Sequence, residues 1–488
     1  MNYRMVLRTL GSVLLILAAC MVPALFVALI YQDINSFSSL SLSCVIVAIT
    51  GLVLRQIYVR NTSIKLREGF LIVSLTWILA SISGALPFIF SGAIPHFVDA
   101  LFESASGIST TGSTILADID ALPKAMLFWR SFLQWMGGLG ILTIVVAILP
   151  ALGIGGFQIA KAESSHPSLD KITPKMTDMA KQLYILYFLL TFACIIMMLL
   201  GGTDLFYASL YSFSAIATGG FAPSNDSAGI FTNPYLHYVI MFFMLLGGIN
   251  FTLSYLVLIK GKIRELFVDK ELKIYLSFIA IAGVLVSIIL FFDKVYAGAE
   301  ETFRMAFFHV VSIMTTTGYA LTEISIWPTA CVMVAFLLSF IGGCAGSTSS
   351  GIKCIRILIV GKLITNEFRK RLHPRAIYSL KLKGESMPAD TAVGTLSFVA
   401  LFFFIFLVGA FFISLDPATD FDTSMNMSIA CLANVGLTLG EVGSLGNYAS
   451  LTDFTKYFLS FLMILGRLEL FTILLLFVPM TWHPDRFK

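Results

Sequence analysis

The sequence predicts an all-α integral membrane protein with about ten transmembrane helices and four re-entrant half-helices, arranged as pseudo-fourfold helix–loop–helix repeats. Three observations predict it. Of 488 residues, 58% are hydrophobic and only 12% are Asp, Glu, Lys or Arg, with a mean hydropathy of +0.90. Soluble chains carry about twice that charged share, so membrane lipid rather than water must cover much of this one. The apolar residues gather into runs near the ~20 residues that cross a bilayer. Between the runs, four shorter and more polar segments recur about a hundred residues apart.

Taken in order, the spanning runs are 9–31, 38–58, 69–92, 125–151, 182–201, 235–259, 273–292, 329–360, 391–415 and 454–480. The first begins like a signal peptide, but its apolar stretch continues to Tyr31 and no small-residue cleavage site is obvious, so it reads as a retained helix. The shorter segments lie near 98–110, 204–218, 302–316 and 422–434. They are too short and polar to cross alone, and fit half-helices surrounded by protein or a water-filled cavity.

Basic loops set the orientation. Arg55, Arg60, Lys65 and Arg67 follow the second run, Lys161, Lys171, Lys175 and Lys181 the fourth, and Lys260, Lys262, Arg264, Lys270 and Lys273 the sixth. The largest group, Lys353 to Lys383, follows the eighth, while the alternate loops carry acids such as Asp118, Asp120, Asp226, Asp416, Asp420 and Asp422. The positive-inside rule puts both termini in the cytoplasm, and an even number of spans agrees.

Composition also excludes some functions. The net charge of +4 comes from basic residues in several separate loops, which gives no case for nucleic acid. Cys20, Cys44, Cys194, Cys331, Cys344, Cys354 and Cys431 are scattered without metal-ligand spacing and read as small buried side chains. No nucleophile–base pair, metal cluster or phosphate loop stands at usable spacing, so the chain does not read as an enzyme.

The four half-helix segments align on Gly112, Gly220, Gly318 and Gly436. Two residues earlier stand Thr110, Thr218, Thr316 and Asn434; six earlier, Ser106, Ser214, Ser312 and Ala430; twelve earlier, Ala100, Ala208, Ala306 and Ser424. Small residues at matched places let helices approach closely. The following spans carry a matched glycine step, Gly137-Gly138, Gly247-Gly248, Gly342-Gly343 and Gly466-Arg467. The expected organisation is a leading helix pair over 1–68 and four units over 69–157, 181–260, 273–364 and 391–480.

Four such loops meeting on a pseudo-fourfold axis make a ring. The loops are short, uncharged and glycine-containing: Thr110-Thr111-Gly112, Thr218-Gly219-Gly220, Thr316-Thr317-Gly318 and Asn434-Val435-Gly436. Glycine reaches positive φ, so carbonyls can turn inward, and a carbonyl ring can replace the hydration shell of a monovalent cation. No carboxylate ring argues for a divalent site. Close helix packing could also account for the glycines, but not for the polar residue two places before each.

With these residues the chain resembles the superfamily of Trk, Ktr and HKT potassium transporters, and most the bacterial TrkH/TrkG family of pore subunits, over essentially its whole length. The resemblance implies that the twelve loop residues above form a potassium selectivity filter with one glycine per repeat. Sodium-preferring relatives often replace the first glycine with serine, so Gly112 implies potassium preference. Asn434 and Val435 depart from the threonine pattern and make the ring asymmetric. The resemblance further implies potassium as the ion bound, a homodimer in the bacterial inner membrane, and a separate cytosolic ring of nucleotide-binding regulatory subunits of the TrkA type. The intracellular loops are too short to form a nucleotide-binding domain themselves, and the basic loop 365–383 could be the contact or could only enforce orientation.

The eighth run is too long for one helix. Thr329 to Ile364 would extend roughly 54 Å against a hydrocarbon core of about 30 Å. The break is expected at Gly342, Gly343, Cys344, Ala345, Gly346, Ser347, Thr348, Ser349, Ser350 and Gly351, ten small residues with four glycines that resist a continuous helix. The resemblance implies an intramembrane gating loop here; a simple helix kink is the other reading. Arg467 takes the place that Gly138, Gly248 and Gly343 hold elsewhere. An arginine inside an apolar span costs about 2.5–3.5 kcal/mol on insertion scales, so it faces a cavity or a partner. Family resemblance implies an electrostatic barrier in the pore; an ion pair with Glu469 would need distortion, because residues two apart do not face each other on a helix. Glu103 and His309, each nine residues before an aligned glycine, could bind ions but read better as hydrogen-bonding groups in the half-helix packing. A proton- or sodium-coupled potassium symporter is the alternative to a gated pore, with Glu103, His309 and Glu469 as its candidate relay.

Overall fold

The computed structural model describes residues 1–60, 64–138, 140, 176–373, 381–382, 385–439 and 446–482. Residues 139 and 141–151 of the fourth run, the rest of the first unit to 157, Lys161, Lys171 and Lys175, and most of 374–384 in the basic loop lie outside the described residues. What is described is helical, with two short two-stranded pairs.

Among the described residues, six helices are long and apolar enough to cross a membrane: α1 (Tyr3–Ile30), α2 (Ile34–Arg55), α3 (Leu66–Phe90), α6 (Met176–Leu200), α10 (Lys270–Phe292) and α14 (Ala389–Ile413). The last four are each followed by a short helix: α4 (Phe97–Ile108), α7 (Leu205–Ala217), α11 (Ala299–Met314) and α15 (Phe421–Leu432). Side-chain caps start two of these, Asp204 accepting from Phe206 N–H and Asp420 from Thr423 N–H. Each short helix is followed in turn by an apolar helix that packs toward the centre: α5 (Lys124–Gly138), α8 (Pro234–Gly247), α12 (Thr329–Ser339) and α16 (Asp453–Arg467). The last packs against α4, so the fourth group of helices meets the first.

Two runs read as single spans are bent. The run 235–259 divides into α8 and α9 (Phe251–Leu258), turned by 109°. Asn250 starts the new helix, its side-chain oxygen accepting from Thr252 N–H at 2.8 Å and Leu253 N–H at 3.2 Å. The run 454–480 divides into α16 and α17 (Phe471–Leu474), with a 112° bend where Glu469 and Leu470 take positive φ values of 51° and 60°. Apolar length alone carried no sign of these bends. The run 329–360 also breaks, within the expected small-residue stretch. After α12 the chain forms β1 (Ile341–Gly342), a loop, β2 (Ile352–Lys353) and then α13 (Cys354–Leu372). The strands pair in parallel, Ile341 with Ile352 and Gly342 with Lys353, which ties the two ends of the loop together.

Candidate functional site

The four short helices end alike. The N–H groups of Thr110, Thr218, Thr316 and Asn434 bond back three residues, to the carbonyls of Gly107, Ala215, Ile313 and Cys431. The next N–H groups, of Thr111, Gly219, Thr317 and Val435, bond to the carbonyls of Ser106, Ser214, Ser312 and Ala430 at 2.8–2.9 Å. This pair of bonds is the Schellman termination, which requires a left-handed residue. Thr110, Thr218, Thr316 and Asn434 supply it, with φ of 57°, 51°, 55° and 54°. Two of the aligned sequence columns therefore have a geometric meaning: one carries the left-handed residue, the other the carbonyl that the N–H of the residue after it reaches. A glycine at the end of a helix would have announced the motif; threonine concealed it.

The aligned glycines follow, with φ of 89°, 80°, 81° and 75° for Gly112, Gly220, Gly318 and Gly436. Each faces a carbonyl of the next loop. A Cβ on Gly112 would lie 2.4 Å from Gly219 O; on Gly220, 2.0 Å from Thr317 O; on Gly318, 2.0 Å from Val435 O; on Gly436, 2.0 Å from Thr111 O. The contacts run from first loop to second, third, fourth and back to first, so the loops close a ring. All four glycines line one recess of about 50 Å³, with Ser113, Phe221 and Leu437 just beyond them. Because the short helices aim their C-terminal ends at this ring, the negative ends of their dipoles make it attractive to a cation. Backbone oxygens, without any carboxylate, suit a monovalent ion.

Side chains brace the ring. Asn434 Nδ2 donates to Thr111 Oγ1 at 2.7 Å and to Met463 O at 2.8 Å, so the fourth loop's departure from threonine ties it to the first. Thr317 Oγ1 lies 2.7 Å from Thr315 Oγ1. Sequence reasoning missed Gln134 of α5, whose Nε2 donates to Gly219 O at 2.5 Å and whose Oε1 accepts from Phe221 N–H at 2.9 Å. A lone glutamine in an apolar helix was the only available signal. Glu103 and His309 also brace. Glu103 pairs with Arg130 at 2.6 Å and accepts from Ile115 N–H at 3.0 Å; His309 Nε2 accepts from Leu321 N–H at 3.2 Å while Nδ1 donates to Met305 O at 2.8 Å. Ile115 and Leu321 each stand three residues after their glycine, so both side chains hold the chain leaving the ring.

The glycine steps bring the central helices against the same structure. A Cβ on Gly137 or Gly466 would lie 1.9 Å from Ile108 O or Leu432 O, and on Gly247 3.0 Å from Ile216 O, carbonyls at the ends of the short helices. In the third unit Gly342 instead meets Ser350 O, at 1.7 Å from such a Cβ, because the loop is inserted there. The loop reaches across three neighbours. Cys344 N–H and Thr348 N–H bond the carbonyls of Gly248 and Gly247 at 2.9 and 3.2 Å, and Gly346 O accepts from Phe251 N–H at 3.0 Å. Thr348 Oγ1 lies 3.2 Å from Thr218 Oγ1, and Ser350 N–H donates to Thr316 Oγ1 at 2.9 Å. The loop thus touches the left-handed threonines of two ring segments. Ala345 N–H and Ile355 N–H, flanking the rest of the loop, both donate to Glu271 Oε1, at 2.6 and 3.2 Å. Gly343 N–H donates to Ser349 Oγ at 3.0 Å, and Ser347 Oγ lies 2.6 Å from Ser349 Oγ. The buried Lys353 donates to Ser349 O.

Arg467 completes the arrangement. One guanidinium nitrogen donates to Thr348 O at 2.6 Å and Ser350 Oγ at 3.0 Å, the other to Gly137 O at 2.7 Å and Gly138 O at 2.9 Å. The cation is held by backbone dipoles between the loop and the end of α5. Glu469 pairs with Arg356, whose guanidinium lies 3.7 Å over the Phe398 ring.

Residues 40–484 match the model of the TrkH family, described as cation transport proteins. The chain belongs to the TrkH family. It is 37% identical to the Trk system potassium uptake protein TrkH of Escherichia coli K12, over 99% of this chain and 100% of that one. It is 35% identical to the Trk system potassium uptake protein TrkG of the same organism, covering 99% of each. The crystal structure of the potassium transporter TrkH from Vibrio parahaemolyticus superposes with a TM-score of 0.89 at 33% identity, over 99% of this chain and 100% of that one. The apolar helices and TrkH membership make this a multi-pass membrane protein of a transport family.

Proposed function

We propose that this protein carries potassium into the cell through a gated pore built from four repeats, with the expected boundaries 69–157, 181–260, 273–364 and 391–480. Thr110 to Gly112, Thr218 to Gly220, Thr316 to Gly318 and Asn434 to Gly436 form the filter and bind the ion. The observation that carries this reading is the closed cycle of glycine-to-carbonyl contacts, in which each loop presents backbone oxygen toward its neighbour's glycine. The names of the TrkH and TrkG relatives, potassium uptake proteins, support the choice of ion. Residues 342–351 with Arg467 form the gate: the loop sits against the threonines of the second and third filter segments, and Arg467 latches it to the first unit.

The protein works as a homodimer in the bacterial inner membrane, with both termini cytoplasmic and a TrkA-type nucleotide-binding subunit acting on the intracellular loops. Reconstituted flux tests the reading. Current reversing at the potassium Nernst potential, whatever the proton and sodium gradients, is the expected result. A reversal potential that follows either other gradient points to coupled symport, and absence of potassium flux ends the pore reading. Symport would draw on Glu103, His309 and Glu469, which are engaged with Arg130, Met305 and Leu321, and Arg356.

A further inference from the structure

The four filter segments are not braced in the same way. At the position just before the aligned glycine the chain has Thr111, Gly219, Thr317 and Val435. The two threonines are fixed by hydroxyl contacts at 2.7 Å: Thr111 with Ser109 and Asn434, Thr317 with Thr315. Gly219 has no side chain to be held by. Its missing Cβ would lie 2.5 Å from Cδ of Gln134, so the glycine leaves the space that this amide occupies. Gln134 comes from α5, the central helix of the first unit, and is fully buried. Its amide bridges both sides of Gly220, donating to Gly219 O and accepting from Phe221 N–H.

The same segment is held from two more directions. Arg130, one turn earlier on α5, places its guanidinium 3.9 Å over the Phe221 ring, and Tyr319 of the third loop donates to Phe221 O at 3.2 Å. The carbonyl that Gln134 grips is the one Gly112 faces, and it stands farther from its glycine than the other three, 2.4 Å against 2.0 Å from the hypothetical Cβ.

We infer that Gln134 is a positioning residue for ion selectivity, setting the orientation of the Gly219 carbonyl and with it the spacing between the first and second filter segments. The inference rests on the filter reading above. An amide suits this task because it carries a donor and an acceptor side by side on one carbon, able to meet a carbonyl and an N–H on either side of one residue. A leucine in its place keeps the volume and removes both bonds. A glutamate keeps the acceptor for Phe221 N–H and sets a carboxylate oxygen against Gly219 O.

The test compares wild type, Gln134→Leu and Gln134→Glu in proteoliposomes, with potassium and sodium as the permeant ions. Melting temperature in each salt is the second readout. Both variants are expected to lower the potassium-to-sodium flux ratio by about tenfold, the scale of two lost or opposed hydrogen bonds. They are also expected to lose the extra protection that potassium gives over sodium in melting. A folded variant with the wild-type flux ratio overturns the inference. Should the Gln134→Leu variant fail to fold, the same comparison on Gln134→Glu decides it. If wild type itself shows no preference for potassium, the filter reading fails first; a selective wild type with selective variants sinks the role of Gln134 alone.

Discussion

At the scale of single residues, the ring depends on an absence of atoms. Gly220, Gly318 and Gly436 each lack a Cβ that would sit 2.0 Å from a neighbouring carbonyl oxygen, well inside van der Waals contact. Their positive φ adds a second penalty for any larger residue. Gly318→Ala is therefore expected to abolish selective flux while exposed helices elsewhere keep their order, which a flux assay paired with circular dichroism reads out. Gly112 has slightly more room, at 2.4 Å. Gly112→Ser is expected to push the Gly219 carbonyl aside and admit more sodium relative to potassium; an unchanged permeability ratio would count against the filter assignment. The recurrence of these glycines was legible from sequence. The carbonyl each one meets was not, because it belongs to another loop, about a hundred residues away in the chain for three of them and at its far end for Gly436.

At the scale of elements, the loop 342–351, proposed as the gate, is held by polar contacts that can be removed one at a time. Deleting part of 344–350 is expected to raise flux in the absence of an activator, and unchanged, normally regulated flux would sink the gate assignment. Arg467→Gln removes the charge that bridges Thr348 O and Gly137 O and is expected to act in the same direction. Glu271 gives a finer probe, because one carboxylate oxygen receives the N–H groups of both Ala345 and Ile355. Glu271→Ala leaves two buried donors unpaired, at about 1–3 kcal/mol each. Basal flux is expected to rise by about an order of magnitude, and wild-type basal flux in a folded variant would show that the brace does not hold the loop closed. The small-residue stretch was legible as a break in a helix too long for the bilayer. The bends after Gly247 and Arg467 were not, since an Asn cap and two left-handed residues interrupt runs whose hydropathy is continuous.

At the scale of the whole molecule, the last group of helices must close on the first. Lys456 of α16 donates to Asp99 of α4 at 2.6 Å, with Lys456 7% and Asp99 21% exposed. Removing one partner of a buried pair costs about 3–5 kcal/mol; partial exposure of Asp99 should bring Asp99→Asn nearer about 2–3 kcal/mol. A lowered melting temperature in detergent is expected, with partial recovery in the charge-swapped double variant Asp99→Lys, Lys456→Asp. Equal losses in the single and double variants would mean that the pair does not couple the two ends of the ring.

By itself the sequence determined that the chain lives in lipid, that four short segments share one pattern, and that the third and fourth units depart from it. These follow from composition and register, which depend on a residue's own chemistry and its place in the chain. Only the tertiary structure decided that a Thr or Asn ends each short helix in a left-handed turn, and that glycine meets carbonyl around a closed cycle. It alone brought Gln134 and Arg467 to backbone groups of other units, and Glu271 to a loop more than seventy residues further along the chain. The reason is physical: a hydrogen bond in a protein interior needs a partner within about 3 Å. Which backbone group comes that close to a buried side chain is set by how the units pack around their common axis.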